Sequence, residues 1–254
     1  MQYGVCTGPE GWPAARAAGF DYIEWTVSAA LKPGEGRAAF EAAQAARRQA
    51  GAPCPALNCF LPGNLKITGP EANPAALEAY VATVCERAAE AGVRTIVFGS
   101  GGARRIPAGF DRGRAHAQLA SFCRMAAARA AARGVIVAVE PLNRAECNVL
   151  TTVRECAALV REVGHPALRL LADAYHLLKD GDAVADVARN GDLLAHVHIA
   201  TAASRLAPGA EPCDFGPFFQ ALAAAGYDGC LSIEAKLSDP AVDLPRALAV
   251  MKGK

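Results

Sequence analysis

One alternation governs what this chain can become: a short β-rich apolar run, a turn, then a longer alanine-rich stretch with helical spacing, repeated eight times. The predicted strands are 3–6, 22–25, 55–60, 95–99, 135–140, 168–173, 195–199 and 230–234. Helical spacing covers 36–49, 74–91, 112–133, 153–163, 183–190, 215–225 and 243–251. Gly19, Gly92, Gly134 and Gly226 each stand between a helical stretch and the next strand, where a left-handed residue stops a helix. Continuous apolar strands joined by crossover helices form a parallel sheet covered by helices, and eight such units close into a (β/α)8 TIM barrel. The 254 residues suit one barrel domain spanning 1–254. An open doubly wound sheet is the alternative, but no glycine-rich phosphate fingerprint follows the first strand. The run Gly99-Ser100-Gly101-Gly102 comes after the fourth strand and reads as a tight loop.

In such a barrel, chemistry sits at the C-terminal ends of the strands. Four successive strands end in metal-ligand residue types: Glu140 on the fifth, Asp173 on the sixth, His198 on the seventh and Glu234 on the eighth. Each closes an otherwise apolar strand, where burial is costly unless the group is paired or metal-bound. Singly, Glu140 or Glu234 reads equally well as a rim salt bridge, and Asp173 as a turn cap. Together, converging on one mouth, they point to a bound cation. Strand alternation sends His196 and His198 to the same face; His198, nearer the mouth, is the better ligand, and His196 fits a hydrogen-bonded role in a lower layer. His176, just past the sixth strand, either contacts a substrate oxygen or is an exposed loop histidine.

Read in order, Glu140-Pro141-Leu142-Asn143-Arg144 with Glu146 beyond it, Asp173-Ala174-Tyr175-His176, His196-Val197-His198, Arg205-Leu206-Ala207-Pro208-Gly209, Gly226-Tyr227-Asp228-Gly229 and Ser232-Ile233-Glu234 resemble the sugar isomerase/epimerase superfamily with a xylose-isomerase-like TIM barrel. The ketose 3-epimerase and hydroxypyruvate isomerase branches are the most similar. The resemblance implies that Glu140, Asp173, His198 and Glu234 hold one divalent ion, manganese, cobalt or magnesium sooner than zinc. It implies that Glu146, His176 and Arg205 contact substrate, with Glu24, Asn58 and Lys66 as further pocket candidates. A cation chelated by a carbonyl and its neighbouring hydroxyl acidifies the C–H between them, and Glu140 and Glu234 can remove and return that proton through an enediolate. Return to the same carbon epimerises; return to its neighbour interconverts aldose and ketose. The stretch Ile199-Ala200-Thr201-Ala202 lacks the acidic residue that usually follows the histidine in the epimerase branch, which bears on the substrate and not on the ligands.

Other classes are weighed against this reading. A metal-dependent lyase or dehydratase acting on a keto-inositol-like substrate needs the same ligands, whereas a sugar-binding accessory barrel has no use for an acid/base pair. A DNA-repair endonuclease of similar barrel type needs more strand-end histidines than five in the whole chain allow, and Asn58 and Gly99 stand where its ligands are expected. With 26 basic and 25 acidic side chains, the chain also lacks the positive footprint of a nucleic-acid binder. The expected partners are therefore a small sugar and a second or further copy of the chain, as homodimer or homotetramer, with neither nucleic acid nor membrane. The nine cysteines show no CxxC pair and read as reduced thiols, which, with no export segment, implies the cytoplasm. Cys59, Cys147 and Cys213 fall near strand ends or loops, where a pocket could lie. No phosphate-binding loop follows the seventh or eighth strand, favouring an unphosphorylated ketose or keto acid.

Overall fold

The computed structural model describes residues 1–253. Eight parallel strands form a closed barrel in sequence order: β1 (Gln2–Cys6), β2 (Tyr22–Thr26), β3 (Ala56–Asn58), β4 (Thr95–Phe98), β5 (Ile136–Val139), β6 (Leu168–Asp173), β7 (Leu194–Ile199) and β8 (Cys230–Ile233), with β8 paired back onto β1. Around it run α1 (Trp12–Ala18), α2 (Val27–Leu31), α3 (Arg37–Ala50), α4 (Pro74–Glu90), α5 (Gly101–Arg104), α6 (Arg112–Ala131), α7 (Val153–Val163), α8 (Ala174–Asp180), α9 (Ala185–Arg189), α10 (Gly216–Ala224) and α11 (Pro240–Met251). No helix among the described residues is long and apolar enough to cross a membrane. All nine cysteines are free.

The four glycines expected to stop helices all have positive φ, from 64° at Gly226 to 94° at Gly19. The third strand is shorter than its apolar run because Cys59 turns into the left-handed region at φ 54°. The glycine-rich segment after β4 is not a plain loop: it starts the four-residue helix α5.

Period-2 alternation divides the sheet into two faces. Outward residues such as Leu57, Ile96, Val137, Leu170 and Val197 join the large apolar layer under the helices. Inside, the apolar filling is small: Val97, Ala138 and Leu171 form a separate cluster. Most of the upper interior is polar. One irregularity matters for the site. Leu170 pairs with Leu194 and Leu171 with His196, so Ala195 is an extra residue in β7. This bulge turns His196 and His198 inward and sets His198 level with Asp173 and Ser232.

Candidate active site

The four strand-end ligand candidates meet at the mouth. One ligand atom each from Glu140, Asp173, His198 and Glu234 can be chosen so that all lie within 4.8 Å of one another. Glu140 and Glu234 stand one residue beyond their strands, yet their N–H groups still donate to Phe98 O at 3.1 Å and Ile199 O at 3.2 Å, which fixes their backbones. His198 Nδ1 is 3.1 Å from Glu140 Oε1 and 3.6 Å from Glu234 Oε2. Asp173 Oδ1 accepts from Tyr175 N at 2.7 Å, capping α8, while its buried Oδ2 has no hydrogen-bond partner. Asp173 thus performs the capping role open to it in sequence and still turns one bare oxygen into the mouth.

Two neighbours shape this cluster. A Cβ on Gly99 would lie 2.2 Å from Glu140 Oε2, so any side chain there would push that carboxylate from its place. Arg104, fully buried, donates to Phe98 O at 3.1 Å, Glu140 O at 2.7 Å and Leu150 O at 3.3 Å, tying the ends of β4 and β5 together. In the sequence it was one of two arginines trailing a glycine-rich stretch, and nothing local marked it.

Beneath lies a second polar layer. Glu24 Oε1 accepts from His198 Nε2 at 2.8 Å; Oε2 accepts from His196 Nε2 at 2.7 Å and from Ser232 Oγ at 2.6 Å. Tyr22 Oη is 2.8 Å from Ser232 Oγ. Glu24, expected to face substrate, is instead sealed under His198, because the two imidazoles offer it the partners a buried carboxylate needs. His196 occupies the lower, hydrogen-bonded position expected for it. With Nε2–H committed to Glu24, His198 turns Nδ1 toward the carboxylates above.

Above the ligand cluster a cavity of about 260 Å³ is lined by Cys59, Leu61, Leu142, Glu146, His176 and Arg205, among others. Arg205 Nη2 donates to Glu234 Oε2 at 2.5 Å and Nη1 to Glu146 Oε1 at 3.4 Å, with its guanidinium 4.6 Å from the centre of the Tyr175 ring. Asn58 Nδ2 donates to Glu234 Oε1 at 3.3 Å. His176 is buried, not an exposed loop residue. Lys66 is not brought to the cavity: its Nζ donates to Gly63 O at 2.6 Å and Gly102 O at 2.9 Å, tying the β3–α4 loop to α5. Of the cysteines set apart in sequence, only Cys59 lines this cavity. Asn143, within the Glu140–Arg144 motif, contacts both His176 and Glu146, and nothing in its local sequence marks it for that role.

The electrostatics follow from this packing. Burial pushes Asp173 up to about 6, helped by Glu234 and opposed by His198. Burial also raises Glu140. Glu234 is held below the usual range because His198 and Arg205 outweigh its burial. Burial works against charge on His198, but Glu24 and Glu234 overcome it and raise its pKa well above 6.5. Three carboxylates around one imidazole, with a bare buried oxygen among them, are a donor set that suits an oxygen-preferring divalent cation.

A family model described as xylose isomerase-like TIM barrel matches residues 12–253. Among curated relatives, a ketose 3-epimerase of Arthrobacter globiformis is 35% identical over 126 residues, 49% of this chain and 43% of that protein. A 3-dehydro-D-guloside 4-epimerase of Escherichia coli is 32% identical over 126 residues, 48% of each chain. The chain thus spans about half the length of the curated relatives it matches. Among solved structures, the D-allulose 3-epimerase of Methylomonas sp. in complex with D-allulose superposes with a TM-score of 0.84 at 22% identity, covering 100% of this chain and 96% of that one. The apo 3-keto-D-glucoside 4-epimerase of E. coli does so with a TM-score of 0.83 at 24% identity, covering 100% of both. These superpositions show the same barrel fold, and the match over 12–253 means that the chain belongs to the xylose isomerase-like TIM barrel family.

Proposed function

We propose that this chain is a divalent-metal-dependent isomerase or epimerase of a ketose or keto-sugar acid, with Glu140 and Glu234 as its acid/base pair. The observation that carries the reading is the convergence of Glu140, Asp173, His198 and Glu234 within 4.8 Å, directly under a cavity lined by Glu146, His176 and Arg205. The epimerase and isomerase activities of the curated relatives support it. A bound manganese, cobalt or magnesium ion would polarise the substrate carbonyl and stabilise the negative charge left when the neighbouring proton departs. Mostly oxygen ligands with one imidazole favour these ions over zinc.

The chain's own residues perform the rest. Glu140 and Glu234 come from different sides of the barrel and flank His198, so each reaches the cavity from its own direction. One takes a proton from carbon while the other returns one. Arg205 orients Glu234 through its guanidinium, and with Glu146 and His176 it holds the substrate oxygens.

The test is deuterium exchange read by NMR on a panel of unphosphorylated ketoses and keto acids with manganese present. Exchange at a single carbon is expected. Glu140→Gln and Glu234→Gln should each lower conversion by about 10² to 10⁴ while keeping manganese bound, with exchange from one face surviving in one variant. Near-normal conversion in either variant with metal bound defeats the two-carboxylate reading and moves a lyase or a sugar-binding barrel ahead.

A further inference from the structure

His176 is a fully enclosed imidazole whose two nitrogens stand in opposite situations. Nδ1 receives the backbone N–H of Asn143 at 3.0 Å and lies 2.8 Å from Asn143 Nδ2. Nε2 has no hydrogen-bond partner; its nearest acidic oxygen, Asp173 Oδ2, is 3.6 Å away.

The side-chain amide of Asn143 can be oriented without ambiguity. Its Oδ1 accepts the N–H groups of Ala145 and Glu146, both at 3.2 Å, so this atom must be the oxygen. Nδ2 is then the atom that reaches Glu146 Oε1 at 2.8 Å and His176 Nδ1 at 2.8 Å. A carboxylate oxygen on one side and an imidazole nitrogen on the other suit its two N–H groups. Nδ1 therefore faces two donors and must offer a lone pair. A proton on Nδ1 would point at N–H groups from both directions. The ring's only proton is then on Nε2, the buried nitrogen without a protein acceptor, in a residue that lines the cavity.

We infer that Asn143 is the positioning residue that locks His176 in its Nε2–H form, so that His176 serves the site as a fixed hydrogen-bond donor to a substrate oxygen and not as a proton acceptor. The inference uses the proposed reading only to say where the donor is spent. It divides the cavity by polarity: His176 and Arg205 can only donate, whereas Glu146 accepts, its Oε1 already receiving Asn143 Nδ2 and Arg205 Nη1. The substrate oxygen opposite His176 must bring a lone pair, as a carbonyl or an enolate oxygen does. The same amide group also holds Glu146 in place, so one buried side chain sets both the donor and the acceptor that meet the substrate.

The decisive measurement is long-range ¹H–¹⁵N NMR of the metal-free chain labelled at its five histidines, with the His176 signals assigned through His176→Gln. The expected wild-type pattern at neutral pH is a bare Nδ1 and a protonated Nε2; a proton on Nδ1, alone or with one on Nε2, overturns the inference. Asn143→Asp replaces the donor at Nδ1 with an anionic acceptor, so a proton should appear on Nδ1. An unchanged ring in that variant removes Asn143's side chain from the role, and should the variant not fold, the wild-type spectrum decides by itself. With a ketose that exchanges under manganese, Asn143→Asp should also lower kcat/KM by about tenfold to a hundredfold, the cost of one misdirected hydrogen bond. If no ketose exchanges, the proposed activity fails while the NMR result on His176 still stands.

Discussion

Two polar layers are stacked in the same barrel, one pleat apart and sharing His198, and they solve opposite problems. The lower layer sets one carboxylate, Glu24, against two imidazole N–H groups and the Ser232 hydroxyl, so both its oxygens are engaged. The upper layer sets three carboxylates against one imidazole and leaves Asp173 Oδ2 bare. The residue types hardly differ; the ratio of acid to base does. Below, the excess of donors makes a closed anchor. Above, the excess of negative charge is a deficit that a divalent cation would fill.

The largest expected effect that could break this contrast is in the lower layer. Glu24→Ala removes the acceptor for two buried histidines and should cost about 3 to 5 kcal/mol in urea unfolding, the range for stripping one partner from a buried charged group. A loss below about 1 kcal/mol would mean that the lower layer anchors nothing. The upper layer should respond with the opposite sign. Asp173 is held near about 6 against an ordinary 3.8, so its ionised form is the disfavoured one in the folded, metal-free protein. Its contribution is most favourable below 3.8 and is lost as pH rises through about 6. Asp173→Asn should therefore stabilise the chelated protein at pH 8, by up to about 3 kcal/mol at 1.36 kcal/mol per pKa unit, while weakening manganese binding.

His198, raised well above 6.5, adds stability below 6.5 that fades as pH climbs through its folded value, in the same sense as Asp173. Glu24, held well below 4.5, keeps its contribution throughout this window. The melting temperature of the chelated protein should fall between pH 6 and pH 8. Saturating manganese should reverse that slope, since protons then compete with the ion. Parallel slopes with and without manganese would count against the upper layer as an ion site. The smallest effect is expected from Ser232→Ala, about 1 kcal/mol for one lost hydrogen bond to Glu24. Manganese affinity should not change, so a loss of affinity there would show that the two layers are not separable.

The barrel was legible because the strands carry local signals: an apolar run on each, a preceding glycine such as Gly134 on several, and on four of them a metal-ligand residue type where the run stops. Glu140, Asp173, His198 and Glu234 were visible for the same reason, since position at a strand end is a property of the sequence. What a strand-end side chain faces is not. Glu24 sits inside β2, before Trp25 and Thr26, and its partner His196 lies 172 residues away and meets it only once the barrel closes. Lys66 turned to two carbonyls from separate segments. Asn143 mattered through α8, which caps on Asp173 and is only seven residues long, too short to show a period. Helices α2 and α5, at five and four residues, escaped notice likewise.

Gly99 carries a last consequence. It has no functional group and takes no part in charge or hydrogen bonding through a side chain, yet the volume of one methyl group there is already occupied by Glu140 Oε2, at 2.2 Å. In a saturation screen for turnover, position 99 should be as intolerant as position 140, and even alanine should fail. A map of intolerant positions would then mark a vacancy alongside the chemical groups, and the importance of that position would lie entirely in what is missing from it.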